Sequence, residues 1–148
     1  MSIYDKYAES VRARREKQGM DKIALQHSAA KLIEAINSYA GISPQLPHAL
    51  ALARADDQHG TRVNPGDLTD FEENGSLRFR LIFQVMSYAS SLGKIVVPAV
   101  IKRTEESAKF YVNVNNGGDI DFFPNSLEAI EVAPGVWERL TAEFDKLK

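Results

Sequence analysis

Apolar residues open the chain at helical spacing. Ile3, Tyr7 and Val11 recur every four positions, with Tyr4 and Ala8 beside them. Ser2 stands where an N-cap belongs, and Gly19 is a natural stop one residue past a helix end. This predicts a first helix whose second half is basic, through Arg12, Arg14, Arg15 and Lys17. Asp21 then suits the cap of a second helix. Leu25, Ala29, Leu32, Ile33, Ile36, Tyr39 and Ala40 form its apolar stripe, and Gly41 ends it. Pro44 and Pro47 set a turn, and Pro47 fits the first position of a third helix. Leu50, Ala51, Leu52 and Ala55 would pack, with Gly60 as the stop.

The period then changes. Thr61 to Gly75 lacks regular spacing, is acidic, and carries the turn signal Asn64-Pro65-Gly66. From Leu77 the pattern alternates: Leu77, Phe79, Leu81, Phe83 and Val85 against Arg78, Arg80, Ile82, Gln84 and Met86. A second strand follows from Ile95 to Ile101, and Thr104 to Ser107 turn the chain back. Phe110 to Phe123, FYVNVNNGGDIDFF, reads as a tight hairpin. Its Asn116-Gly117 and Gly117-Gly118 pairs tolerate positive φ. Pro98 lacks a ladder donor, so a break and a bend are expected there, with Asp119 to Phe123 as a short acidic edge. Asn125 and Glu128 suit one capped helical turn. Pro134 starts a last helix lined by Val136, Trp137, Leu140, Phe144 and Leu147.

The order predicts one α+β domain spanning residues 1–148. About three N-terminal helices and a C-terminal helix pack on one face of a four-stranded antiparallel meander. A chain of 148 residues that is 44% hydrophobic can build its own core. Its formal charge of -2 exerts no global pull toward nucleic acid or anionic lipid. Having no cysteine, it has no disulfide, thiolate metal site or cysteine nucleophile. No run approaches a membrane span and no apolar leader opens the chain. The expectation is a cytoplasmic protein without membrane attachment.

Four constellations bear on chemistry. Arg78, Arg80, Lys102, Lys109 and Tyr111 fall on the outer face of the meander by parity, near Asn113. Ile82, Met86, Val96 and Val100 share that face, so it is part cationic and part apolar. Such a face suits a protein partner, or stacks and neutralises a nucleic acid. Asp70, Glu72, Asn74 and Gly75 resemble the first half of an EF-hand loop. However, Leu81 stands where the bidentate acid belongs. Asp56 and His59, three apart on the expected third helix, could share a metal with Asp67 or Asp70; His27 and His48 stand alone. No nucleophile elbow, phosphate loop or dinucleotide fingerprint is present.

The expected function is therefore macromolecule binding by a small regulator, inhibitor or adaptor acting through a protein partner. Its binding residues would be Arg12, Arg14, Arg15, Arg78, Arg80, Lys102, Lys109 and Tyr111. No catalytic residue, cofactor or metal is assigned, and a homodimer is one form it could take. The alternatives are a nucleic-acid-binding protein using the basic helix and the sheet cations, and a metal-assisted hydrolase using Asp56, His59 and the acidic loop.

Overall fold

The computed structural model describes residues 2–43, 46, 49–73, 75–87, 90–104 and 109–147. Its first element is a single helix, α1 (Ile3–Ala40), of 38 residues. Ser2 Oγ accepts the Asp5 N–H at 3.1 Å, and Gly41 at φ 68° closes the other end with its N–H on Asn37 O. The two helices expected on either side of Gly19 are thus one. A glycine inside a helix costs only about 1 kcal/mol relative to alanine, and good helix formers flank this one. Nor does Asp21 act as a cap: its carboxylate is paired with Arg103 across the domain.

The expected third helix is also absent. Leu50–Arg54 is a strand, β1, antiparallel to the later strand Ser76–Ser87. Leucine and alanine favour helix, but Leu-Ala-Leu-Ala also alternates at period two. Leu50 and Leu52 enter the core while Ala51 and Ala53 face the other way. Packing on the open edge of a long strand overrides propensity. The turn expected at Pro44 and Pro47, and His48, lie outside the described residues.

The acidic connection holds a 3₁₀ turn (Pro65–Asp67) and a two-residue strand, β2 (Asp70–Phe71). Then come β3 (Ser76–Ser87), β4 (Ser90–Arg103), β5 (Phe110–Val114) and β6 (Asp119–Phe122). The sheet is six-stranded and antiparallel rather than a four-stranded meander. Its order is β1-β3-β4-β5-β6, with β2 also on β3. The expectation missed β1 because its composition reads as helix, and β2 because two residues carry no period.

Ser126 Oγ accepts the Glu128 N–H at 3.0 Å and opens a second 3₁₀ turn (Leu127–Val132). This runs into α2 (Ala133–Phe144), with Pro134 in its first turn. Val136 and Leu140 of α2 and Leu25, Leu32 and Ile36 of α1 are buried against the inner sheet face. Trp137 and Phe144 meet Phe83 edge-on, at 5.4 and 5.8 Å between centroids. Leu147 is exposed.

The ladder is not broken at Pro98. Pro98 pairs in register with Arg80, and the slip in register falls between Val85 and Met86. The Pro98 carbonyl accepts the Asn115 N–H at 2.8 Å, so its N side also points toward β5. β5 pairs only as far as Val114↔Ala99, and the missing donor falls where the hairpin is already turning away. The hairpin turn is centred one residue earlier than expected, with positive φ at Asn115 and Asn116. α2 grips this turn. Asn115 Nδ2 donates to Glu143 Oε2 at 2.9 Å and Arg139 Nη1 donates to Gly118 O at 2.7 Å. β6 is the outer edge of the sheet, as expected.

Two outcomes follow from this packing. A Cβ on Gly19 would meet nothing within 4 Å. Gly19→Ala should therefore raise helicity by circular dichroism and stability by up to about 1 kcal/mol; a helix ending at a left-handed Gly19 would instead be weakened. Leu140 is fully buried, and Leu140→Ala should cost about 2–5 kcal/mol in urea unfolding, as a core truncation does. A cost below 1 kcal/mol would mean that α2 is not part of the core.

Candidate functional site

The outer sheet face is not the open cationic platform that parity suggests. Residues 55–60 fold across it, and Val63 then bridges to Leu52 at the edge of β1. A Cβ on Gly60 would lie 2.6 Å from Val96 Cγ2, so this crossing requires glycine. Ala51, Ala53, Ile82 and Val96 form a small apolar cluster on this face. Asp57 fixes the shape of the crossing. Its carboxylate accepts the N–H groups of His59 (3.1 Å), Gly60 (3.2 Å) and Thr61 (2.7 Å). These bonds, that from Thr61 foremost, hold its pKa below the ordinary aspartate value.

The sheet cations are engaged as well. Arg80 Nε donates to Ala55 O at 2.9 Å, and Lys94 Nζ reaches His59 O and Gly60 O at 3.0 and 3.1 Å. Arg78 bridges Asp70 (3.0 Å) and Glu72 (3.2 Å). Lys102 approaches Asp119 at 3.9 Å, and Lys109 approaches Asp121 at 3.5 Å while lying over the Tyr111 ring. A cleft of about 240 Å³ lies between Arg54, Asp56, Asp70 and Arg78, so positive and negative groups alternate along it. The acids of the EF-hand-like stretch thus serve Arg78, and Asn74 lies outside the described residues.

The geometry invoked for a metal does not form. With β1 in place of the third helix, Asp56 pairs with Arg54 at 3.5 Å and His59 stands on the loop. Among the described residues no three histidine or acidic side chains cluster as metal ligands.

The basic residues of α1 lie elsewhere. Arg12, Arg14 and Arg15 are exposed on α1, which packs on the inner face from Leu25 onward, whereas Arg78, Arg80, Lys102 and Tyr111 belong to the sheet and Lys109 adjoins it. From Ile3 to Met20 every residue except the half-buried Val11 is exposed, and the first buried residue of α1 is Leu25. This half of the helix is an arm of about 27 Å, at 1.5 Å per residue. Ile3 is 88%, Tyr4 79% and Tyr7 63% exposed. At about 100° per residue they share a sector with Val11, and also with Leu25, Leu32 and Ile36. The apolar residues of the arm therefore share the phase of the stripe that docks α1 on the sheet, with the polar Arg14, Gln18 and Asp21 between the two. At the arm's root, Gln18, Leu25, Phe71, Glu72 and Glu73 line a notch of about 380 Å³ on that same side.

Sequence reasoning identified the arm's cations and the helical spacing of its apolar residues but not that those residues stand beyond the body. The available signal was the common phase of Ile3/Tyr7/Val11 and Leu25/Leu32/Ile36, which marks one helix despite Gly19. Among the described residues no helix is long and apolar enough to cross a membrane. Comparison with protein-family models, curated proteins and solved structures found no match.

The loop clamp makes a pH prediction. A carboxylate with a lowered pKa contributes stability above the ordinary aspartate range and loses it as pH falls through the lowered value. Amide protection at Gly60 and Thr61 should hold at neutral pH and fall below about pH 4. Asp57→Ala should already show the unprotected level at pH 7, and equal protection in both proteins would disprove the clamp.

Proposed function

We propose that this chain is a macromolecule-binding protein, a regulator, inhibitor or adaptor, that engages a protein partner through the projecting half of α1. The observation that carries this reading is the arm's uncovered apolar stripe. Ile3, Tyr4 and Tyr7 lie in solvent on a helix extending past the last core contact. In proteins most helical stability comes from packing an apolar face. A protein groove supplies that packing, read through anchors three and four residues apart. Arg14 lies within the stripe and Arg12, Arg15 and Lys17 flank it, which favours an acidic-rimmed surface. The lack of cysteine fits a reducing compartment, and on this reading the cytoplasm is the site of action.

The nucleic-acid alternative loses support from the sheet, where Arg78, Lys102 and Lys109 already face carboxylates. The test compares the full chain with a variant lacking residues 2–18, each used to capture protein from nuclease-treated extract and RNA from untreated extract. The core begins at Leu25, so the variant should melt cooperatively near the full chain's Tm while losing the captured protein. Equal capture by both would remove the arm from function. Capture of RNA that weakens steeply with salt would replace the reading with the nucleic-acid one.

A further inference from the structure

We infer that one partner of the arm is the arm of a second copy, lying antiparallel to it; this rests on the reading of the arm as a docking helix. The stripe repeats every seven residues. Tyr4, Val11, Leu25 and Leu32 fall on one series and Tyr7 and Ala35 on the other, with the polar Gln18 in the first and Arg14, Asp21 and Ser28 in the second. The inner members Leu25, Ser28, Leu32 and Ala35 are buried against the sheet. The outer members Tyr4 and Tyr7 lack any such cover. One seam is thus half used within the chain and half open.

Charge sets the orientation. Residues 3–9 hold the aromatics with Asp5, Glu9 and a single cation, Lys6. Residues 12–17 hold Arg12, Arg14, Arg15 and Lys17 against Glu16 alone. A parallel pair would stack four cations on four. An antiparallel pair lays the basic segment of each arm along the aromatic, acid-bearing segment of the other. Arginine there can also cover tyrosine rings.

The body fixes how far the arms overlap. From about residue 21 the sheet overhangs the stripe, so a second helix on that face must stop there. The notch between Leu25, Phe71, Glu72 and Glu73 stands at that place. An arm of equal length running the opposite way brings its first turn, Ile3 and Tyr4, to this notch. The positive N-terminal end of that helix then meets Glu73, with Glu72, which also holds Arg78, and Asp21 and Lys22 at the rim of the notch. The same contact forms at both ends, as a two-fold interface requires.

The test uses the full chain. Sedimentation equilibrium from about 1 to 200 µM should show the apparent mass rising toward two chains. Tyr7→Asp with Val11→Asp should keep the protein at one chain while its thermal melt remains cooperative. The chain has no cysteine, so an introduced thiol is unique. Val11→Cys, near the centre of the overlap, should oxidise to a linked dimer. Ile3→Cys should not, because an antiparallel pair holds those ends about an arm's length apart. A chain that stays monomeric throughout, or that links faster through Ile3→Cys than through Val11→Cys, overturns the pairing. If such a monomer still captures another protein through its intact arm, only the self-pairing falls and the docking reading stands. Loss of self-pairing and arm-dependent capture together would end both.

Discussion

Two strands of 12 and 14 residues, β3 and β4, run antiparallel to one another and present two faces to the rest of the chain. Every other element is added to this ladder. β1 and β2 take one edge of β3, while β5 and then β6 extend the other side from β4. The inner face supplies Phe79, Leu81, Val97 and Ile101, all nearly inaccessible to water, as the floor on which α1 and α2 settle. Neither helix would have a place without that floor. Burying side chains of this kind is worth about 1.5–3 kcal/mol each, which makes this face the main source of stability.

The outer face shows what parity arguments leave out. Alternation correctly assigned Arg78 and Arg80 to the side away from the helices, but it says nothing of what else crosses that side. A short loop with a glycine at its closest approach covers the apolar centre, and carbonyls of that loop occupy Arg80 and Lys94. Acidic neighbours on β2 and β6 take up Arg78, Lys102 and Lys109. The charges expected to form a binding patch also pair here with a loop carbonyl and with carboxylates of neighbouring strands.

Much of the fold was legible where one signal spoke alone. The β3 alternation, the hairpin before β6, the Gly41 cap and the proline-led α2 were all readable, because local chemistry and tertiary environment agree at these points. The misreadings share one cause. At Gly19 and Asp21 local stop and cap signals contradicted an apolar phase shared by the residues before Gly19 and after Asp21, and the phase won. At Leu50–Arg54 helix-favouring composition contradicted a period of two, and the period won. At Pro98 the missing donor was real but fell where no partner needed it. The candidate site was less legible, because an apolar stripe on a helix looks the same whether or not something covers it. Only the place where the body ends distinguishes Leu25 from Tyr7.

Because α1 is unbroken from Ile3 to Ala40, arm and body share one rotational phase. The body cannot turn about the helix axis without carrying Tyr4 and Tyr7 with it. Whatever grips the arm therefore also sets the compass bearing of the sheet. One residue inserted between Gln18 and Lys22 would swing that bearing by about 100° while lengthening the arm by only about 1.5 Å. In this protein the length of the helix sets the reach, and the count of its residues sets the aim.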